Sequence, residues 1–366
     1  MWRPQLLIER TSVGLDVHAR SIVGCAIDEQ TGEIIHRRFG YDPAEVIGWV
    51  KALPGPQHVV YEAGPTGFEL ARQFEASAVH CVVAAPSKLQ RPSGDRVKTD
   101  ARDAEHLARL LRLGEATAVR IPTREQEAAR DLVRAREDVR TDLMAARHRL
   151  TKLLLRRGLV FDGKTTWSRE HDAWIRRHRP DLPSSAAAFD AAYETVAQIA
   201  ARKRQLDQLI AEAALCDDEL APVAARLGCL RGISALTAYA LAVEIGDWHR
   251  FTGNTIGAYL GLVPTEYSSG SSRSQGAITK TGNAHARRLL VESAWHHKKD
   301  YRPGAVMHAR WAAAPTDAVL RGQAGNRRLH RKWQQFTHRK KRSTIAAVAV
   351  ARELAGWCWS LAVMDG

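Results

Sequence analysis

The first 115 residues alternate between short apolar runs and amphipathic stretches. The apolar runs predict strands at Val13–Val17, Ile22–Asp28, Ile34–Phe39, His58–Tyr61 and His80–Ala85. Residues with helical spacing predict helices at Pro43–Leu53, Phe68–Ser77 and Asp100–Leu113. Three strands followed by alternating helices and strands are typical of a mixed α/β sheet. We therefore predict an α/β domain over residues 1–118.

The middle of the chain follows a different period. Apolar positions recur in heptads from Ala129 to Leu153 and again from Phe189 to Ala213, and each seam contains one charged residue, Arg136 and Lys203. Two long helices with such seams predict an antiparallel coiled-coil arm over residues 119–225, closed by a basic loop at Arg156–Ser184. The alternative is two helices of an ordinary bundle.

The last part, residues 226–366, is predicted to be mostly helical with turns marked by glycine. Leu230–Ser234 followed by Leu236–Ile245 resembles half of a helix-hairpin-helix, in which a tight turn offers backbone N–H groups to a phosphate. A polar Ser/Gly loop follows at Tyr267–Gly276, then basic helices, then an apolar helix at Ser343–Val363. The fold class is thus α/β plus all-α.

Positive charge is concentrated in this last part. Residues 271–350 contain seventeen Lys or Arg and three acidic residues, a surplus that equals the net charge of +14 of the whole chain. A localised basic region on a balanced chain favours a polyanionic partner, most often nucleic acid, over a merely solvated surface.

Cysteine usage and hydropathy point to a reducing, aqueous compartment. The five cysteines are scattered and form no C-x-x-C pair, which argues against disulfides and a structural zinc site. No apolar run reaches about 18 residues, so no membrane span is expected. We expect a cytoplasmic, nucleoid-associated protein.

Four acidic residues are candidates for a metal site. Asp100 and Asp103 either cap the helix that they begin or share one of its faces and bind a hard cation. Asp16 lies in an apolar first strand, where an unpaired carboxylate is costly, and Glu62 ends a later strand. In a ribonuclease-H-like fold these positions converge at one sheet edge, where four carboxylates hold two Mg²⁺ ions.

Several motifs resemble the insertion-sequence-110 family of transposases, which are related to the Piv DNA invertases. GLDVHAR contains Asp16, YEAGPTG contains Glu62, and DRVKTDARDAEHLARLL contains Asp100 and Asp103. These segments resemble the DEDD, RuvC-like domain of that family. GISALTAYALAVEIGDWHRF, GAYLGLVPTEYSSGSSRSQGAITKTGN and HARRLLVESAW resemble its C-terminal transposase domain. The resemblance covers nearly the whole chain, except residues 1–10 and 156–184.

The resemblance implies a nucleophilic serine. A Ser/Gly-rich loop is otherwise a flexible connector. Members of the family are similar in placing the serine immediately before a glycine, which corresponds here to Ser269 before Gly270, with Ser268 as the adjacent alternative. The implied chemistry is a covalent phosphoserine on DNA, formed in a homo-oligomer (dimer or tetramer) whose composite sites join the acids of one subunit to the serine of another.

The resemblance also implies an element-encoded, structured guide RNA that pairs with donor and target DNA. Cations and aromatic residues interleave near the C-terminus, as suits single-stranded nucleic acid, although Trp333 and Phe336 could equally pack in a core. The candidate nucleic-acid-binding residues are Lys98, Arg273, Lys280, Arg287, Arg288, Arg327, Arg328, Arg331, Lys332, Trp333, Arg339 and Lys340.

The leading hypothesis is an RNA-guided, Mg²⁺-dependent DNA transposase or recombinase with a serine nucleophile. Alternatives are a hydrolytic nuclease or junction resolvase with the same acids, and a non-catalytic DNA- or RNA-binding protein. An ATPase or sugar kinase ranks last, because no convincing phosphate-cradling glycine loop is present.

Overall fold

The computed structural model describes residues 10–89, 99–269 and 272–364, without the side chains of Ser268 and Arg273. The chain divides into two compact units, residues 1–122 and 123–366. The three-domain division at 118 and 225 stays a prediction.

The first unit is built on a five-stranded mixed sheet. Its strands are β1 (Thr11–Val17), β2 (Ser21–Asp28), β3 (Ile34–Gly40), β4 (Gln57–Glu62) and β5 (His80–Ala84), and its helices are α1 (Pro43–Lys51), α2 (Glu69–Ala76) and α3 (Asp100–Arg112). The strand order is β3-β2-β1-β4-β5, with β1 antiparallel to β2 and parallel to β4. The predicted mixed sheet is confirmed, and every element lies within two residues of its predicted bounds.

Each face of this sheet has its own apolar layer. Val13, Leu15, Val59 and Tyr61 pack with α1 and α2 on one side. Val60, Ala84, Leu107 and Leu111 pack with α3 on the other side. The sheet is therefore covered on both faces, which explains its near-continuous apolar strands.

The second unit begins with two long helices, α4 (Arg124–Leu155) and α6 (Pro183–Cys216), with α5 (Arg169–Arg177) between them. They run antiparallel, because Leu150 near the end of α4 packs with Phe189 near the start of α6. The two charged seam residues share one partner: Arg136 Nε lies 2.7 Å from Asp207 Oδ1, and Lys203 Nζ lies 2.6 Å from Asp207 Oδ2. A single carboxylate thus compensates both seam charges, while coiled-coil geometry stays a prediction.

The rest of the second unit is a helical core with one small sheet. Its elements are α7 (Leu220–Leu227), α8 (Ala235–Ile245), α9 (Thr255–Tyr259), β6 (Pro264–Ser269), β7 (Ser272–Ile278), α10 (Ala284–Ala294), α11 (Ala305–Ala312), α12 (Thr316–His338) and α13 (Ser343–Ala362). The prediction that the Ser/Gly segment is a loop is wrong, since β6 and β7 form an antiparallel hairpin there. The prediction missed it because polar residues occupy both faces of these strands, so no apolar alternation exists.

Helix α13 contradicts the expectation that no apolar stretch reaches membrane-spanning length. It is long and apolar enough to cross a membrane by length and composition. Its apolar residues, among them Val350, Leu354, Cys358 and Leu361, are instead fully buried in the core of the second unit. Two charged residues, Arg352 and Glu353, lie in its middle. Helix α13 is the central core helix of this unit.

Candidate active site

Asp16 and Glu62 are brought side by side by the parallel pairing of β1 with β4. Leu15 pairs with Tyr61 in this ladder, so the two acids follow one residue later on neighbouring strands. Equivalent positions on neighbouring strands face the same side of a sheet. Both carboxylates therefore lie at the edge where the two strands end.

Helix α3 brings the aspartate pair to the same edge. Its N-cap is Thr99, whose hydroxyl accepts a hydrogen bond from the Arg102 N–H. The alternative in which Asp100 caps the helix is therefore wrong: Asp100 is the first helical residue and Asp103 lies one turn later on the same face. Both carboxylates remain in the first turn, where the helix dipole favours negative charge.

A glycine sets how closely this helix approaches the sheet. A β-carbon at Gly14 would lie 2.1 Å from Ala104 O and 2.5 Å from Ala108 N. Only glycine allows backbone contact this close. Gly14 and Asp16 are two apart on one strand, so the close contact occurs on the face that carries Asp16.

Three of the four acids line one small cavity. Asp16, Glu62 and Asp103 share a space of about 80 Å³ with Pro86 and His106. Asp100 instead borders a wider cleft with Arg38 and is connected to Asp16 through His18. The His18 Nε2 atom lies 3.2 Å from Asp16 Oδ2 and 3.8 Å from Asp100 Oδ1.

The electrostatics favour a cation in this position. Burial raises the pKa of Asp16, and the nearby Asp103 and Asp100 raise it further, while His18 acts in the opposite direction. A bound cation would offset both effects. His106 Nε2, which borders the same cavity, is buried without a hydrogen-bond partner among the described residues. Carboxylate oxygens are the ligands that Mg²⁺ prefers, so the donor set fits that ion.

Ser269 lies at the end of the β6–β7 hairpin in the second unit, paired with Ser272. Its side chain is exposed. No acid or imidazole among the described residues contacts its hydroxyl. The nucleophilic role of Ser269 stays a prediction, and Gly270 lies outside the described residues.

The segment that follows this hairpin is held by a buried carboxylate. Glu244 on α8 is fully buried and accepts hydrogen bonds from Arg134 of α4 and from Asn283 and His285, which flank the start of α10. Burial alone would raise the pKa of Glu244, but these donors hold it well below its usual range. The segment that returns from the hairpin is thereby tied to α4 and α8.

Comparison with known proteins gives the family. A family model described as "Transposase" of the IS110 DEDD type matches residues 13–157, which include all four acids, and one described as "Transposase IS116/IS110/IS902 family" matches residues 224–309, which include Ser269. Transposase y4qE of Sinorhizobium fredii (strain NBRC 101917 / NGR234), as that protein is named, is 36% identical over 358 residues, covering 96% of this chain and 88% of its own. The chain belongs to the IS110 family of transposases.

Two further relatives of this IS110 transposase come from other bacteria. The transposase for insertion sequence element IS1533 of Leptospira borgpetersenii is 29% identical and covers 90% of this chain and 97% of its own. The transposase for insertion sequence element IS1328 of Yersinia enterocolitica is 26% identical and covers 82% of this chain and 88% of its own. The similarity spans both units of the transposase.

Several basic residues predicted to bind nucleic acid are engaged within the IS110 transposase. Arg287 donates to the carbonyls of Leu260 and Thr281, and Arg288 pairs with Glu137 and Glu292. Arg328 and Lys332 both pair with Glu353. The remaining basic candidates with described side chains are all exposed: Lys280, Arg327, Arg331, Arg339 and Lys340. Lys98 and the Arg273 side chain lie outside the described residues.

The base-stacking role considered for Trp333 is wrong in this fold. Its side chain is buried in the helical core, and its ring packs against Trp295 with 5.4 Å between ring centroids. Phe336 is partly buried against the same core. The helical period of α12 places these two rings inside and the cations outside.

Four residues near the acids were missed by the motif reading. They are Gly14, His18, Arg38 and His106. Gly14 carried a signal, because a glycine within a strand often marks close backbone approach. His106 carried a signal as well, because it follows Asp103 by three residues on the same helix. His18 follows Asp16 by two residues. Arg38 carried none, because its proximity to Asp100 depends on how β3 meets α3.

Proposed function

We propose that this transposase cuts and rejoins DNA at the acid cluster and Ser269 under the direction of a guide RNA. The observation that supports the proposal most directly is the meeting of Asp16, Glu62 and Asp103 at one small cavity, with Asp100 connected through His18. We assign the first unit to the ribonuclease-H-like, RuvC-like fold. Its strand order and the position of the acids at the strand ends support that assignment.

In this proposal Asp16, Glu62, Asp100 and Asp103 hold Mg²⁺, most simply two ions. When bound, the ions would supply Lewis acidity at a phosphodiester. His18 holds Asp16 and Asp100 in place, and Thr99 fixes the first turn of α3.

The covalent step conserves the number of phosphodiester bonds. The Ser269 oxygen forms a bond to phosphorus while the bond from phosphorus to one deoxyribose oxygen breaks. The serine proton is lost and the leaving sugar oxygen gains a proton. Attack by a sugar hydroxyl on the phosphoserine then reverses the step, so no nucleotide triphosphate is needed.

The finer parts of the proposal concern partners. Base pairing between the guide RNA and donor or target DNA selects the sequence. The acids of one subunit act with the serine of another in a homo-oligomer. The protein works in the cytoplasm on the nucleoid. The basic surplus of residues 271–350 supports a polyanionic partner.

The test uses purified transposase with radiolabelled donor and target DNA, element RNA and Mg²⁺. Wild-type protein is expected to leave protein attached to a DNA end, which protease treatment removes. Ser269→Ala abolishes the attachment, whereas Ser268→Ala retains it. Asp16→Asn abolishes all strand breakage.

The outcome separates the proposal from its strongest competitor. Cleavage that persists in Ser269→Ala without any protein-linked DNA establishes a hydrolytic nuclease instead. The exposed position of Ser269, without a neighbouring base among the described residues, is the observation that favours this second candidate. Recombination that proceeds equally well without RNA refutes the proposed role of a guide RNA.

A further inference from the structure

A cleft of about 440 Å³ opens between the segment before α9, helix α12 and helix α13. Two indole rings, Trp357 and Trp359, lie along it, and both are half-buried. The cations Arg321, Lys332 and Arg352 lie around the rings. Its volume is within the range of small-molecule sites, roughly 300–1,000 Å³.

Three polar groups at this cleft have no partner among the residues that the structure describes. They are the guanidinium of Arg352, the indole N–H of Trp357 and the side-chain amide of Asn254. Asn254 is the N-cap position of α9, yet its side chain makes no capping bond. Arg352 and Asn254 are exposed, so both are accessible to a ligand. Two donors and an amide that can both donate and accept are thus available together.

The other groups are held in place within the protein. The Trp359 Nε1 atom donates to Phe251 O at 2.9 Å, which fixes the ring. The Arg321 Nε atom donates to Ser360 Oγ at 2.8 Å, and its guanidinium carbon lies 5.7 Å from the Trp357 ring centroid. The cleft therefore has ordered walls before any ligand arrives.

The charge of the cleft is positive. Its one acid, Glu353, is paired with Arg328 at 2.9 Å and with Lys332 at 2.5 Å. Arg321 and Arg352 remain without a carboxylate partner in the described parts of the chain. An anionic ligand is therefore favoured over a cationic or purely apolar one.

Glycines allow the walls of the cleft to pack closely against one another. Gly253 lies against the Trp359 ring, where a β-carbon would be 3.4 Å from Cε3, and Gly257 lies against Arg352. Gly356 approaches the backbone of Gly253, where its β-carbon would be 3.3 Å from the carbonyl oxygen. These glycines therefore bring α13 close to the segment before α9 and set the shape of the cleft floor.

We propose that this cleft binds one unstacked nucleotide of a single-stranded nucleic acid. The base stacks on the indole rings and is read by Asn254, while Arg352 contacts its phosphate. Flat aromatic surfaces, a positive rim and a concave shape are the features that receive splayed bases of single strands. A paired duplex presents no free base face to such a cleft. The proposal does not depend on the metal or serine chemistry, because binding rather than cleavage reports on it.

The experiment measures the binding of a fluorescent twelve-nucleotide RNA, a DNA strand of the same sequence and the corresponding DNA duplex by anisotropy. Arg352→Gln is expected to weaken single-strand binding about tenfold and to reduce the slope of log affinity against log salt by about 0.7, as for one lost phosphate contact. Duplex binding changes less than about twofold. Asn254→Ala, a small change at an exposed residue, weakens single-strand binding by about threefold.

Arg202→Gln is the matched control, because Arg202 is an exposed residue of α6 outside the cleft and its replacement removes the same charge. It should change single-strand binding less than about twofold. A larger effect of Arg352→Gln on RNA identifies an RNA strand as the occupant, and a larger effect on DNA identifies a DNA strand. Either result supports the proposal that the cleft binds a nucleotide of a single strand. Equal losses in Arg352→Gln and Arg202→Gln refute it.

Photocrosslinking of the wild-type protein gives a readout that needs no folded variant. No Lys or Arg lies between Arg352 and Trp359, so the tryptic peptide that begins at Glu353 holds both Trp357 and Trp359. Oligonucleotides with one photoreactive pyrimidine should crosslink to this peptide. Crosslinks found only in other peptides overturn the proposal.

Discussion

Replacing Glu244 by glutamine removes the negative charge by which α8 is tied to Arg134 of α4 and to the start of α10. The carboxylate accepts from Arg134 Nε and Nη2 at 3.0 Å each, from Asn283 Nδ2 at 2.6 Å, and contacts His285 Nδ1 at 3.1 Å. A glutamine amide has only one oxygen. In either orientation its NH₂ group faces a donor of Arg134, so at least one hydrogen bond becomes a repulsive contact.

The size of the effect follows from burial. Removing one partner of a buried ion pair costs about 3–5 kcal/mol of folding free energy. The Glu244 side chain is fully buried, but that of Arg134 is 55% exposed and can still be hydrated. We therefore expect the lower end of the range, a loss of about 3 kcal/mol.

Urea unfolding followed by tryptophan fluorescence measures this loss, since all tryptophans except Trp2 and Trp49 lie in the second unit. Glu292→Gln is the matched control: Glu292 is 58% exposed in its pair with Arg288, and its replacement should cost less than about 0.5 kcal/mol. A loss below about 1 kcal/mol for Glu244→Gln would refute the reasoning.

The comparison of wild type with Glu244→Gln also tests how the stability depends on pH. The folded-state pKa of Glu244 is lowered from the ordinary value of 4.5, so its contribution is fully present above pH 4.5 and is lost as the pH falls towards the folded-state pKa. The stability difference between wild type and Glu244→Gln should shrink as the pH drops below 4.5. A difference that stays constant there would show that packing, not charge, is responsible.

Two predictions concern the first unit. Gly14→Ala should lower the free energy of unfolding by about 3 kcal/mol or more and abolish DNA cleavage, because the new β-carbon would meet the backbone of Ala104. Thermal unfolding measures the loss of stability. Gly40→Ala is the control, since a β-carbon there meets nothing within 4 Å, and it should leave stability and cleavage unchanged. Asp16→Asn should raise the melting temperature of the metal-free protein, because burial raises the pKa of Asp16 and its charge opposes folding above that pKa. Addition of Mg²⁺ should then stabilise wild type but not the variant. A metal-free melting temperature of the variant below that of wild type would contradict the prediction.

The sheet and its acids were predictable because their signals are local. Apolar strands separated by amphipathic helices define β1 to β5, and the acids lie at the ends of such elements. The helix cap was mispredicted because Thr99 and Asp100 are both capping residue types, and only backbone conformation decides between them. The shared partner of Arg136 and Lys203 was not predictable, because Asp207 lies outside both heptad seams and reaches them only after the helices pack.

The position of Ser269 at the end of a two-stranded hairpin has a consequence for how this family can vary. Each strand residue advances the chain by about 3.3 Å and reverses the direction of its side chain. Removing one residue from each strand would shorten the reach of the hydroxyl by about that distance and turn it to the opposite side, whereas removing two from each would preserve its direction. Relatives are therefore expected to tolerate changes in the length of β6 and β7 only in steps of two, whatever residues they contain.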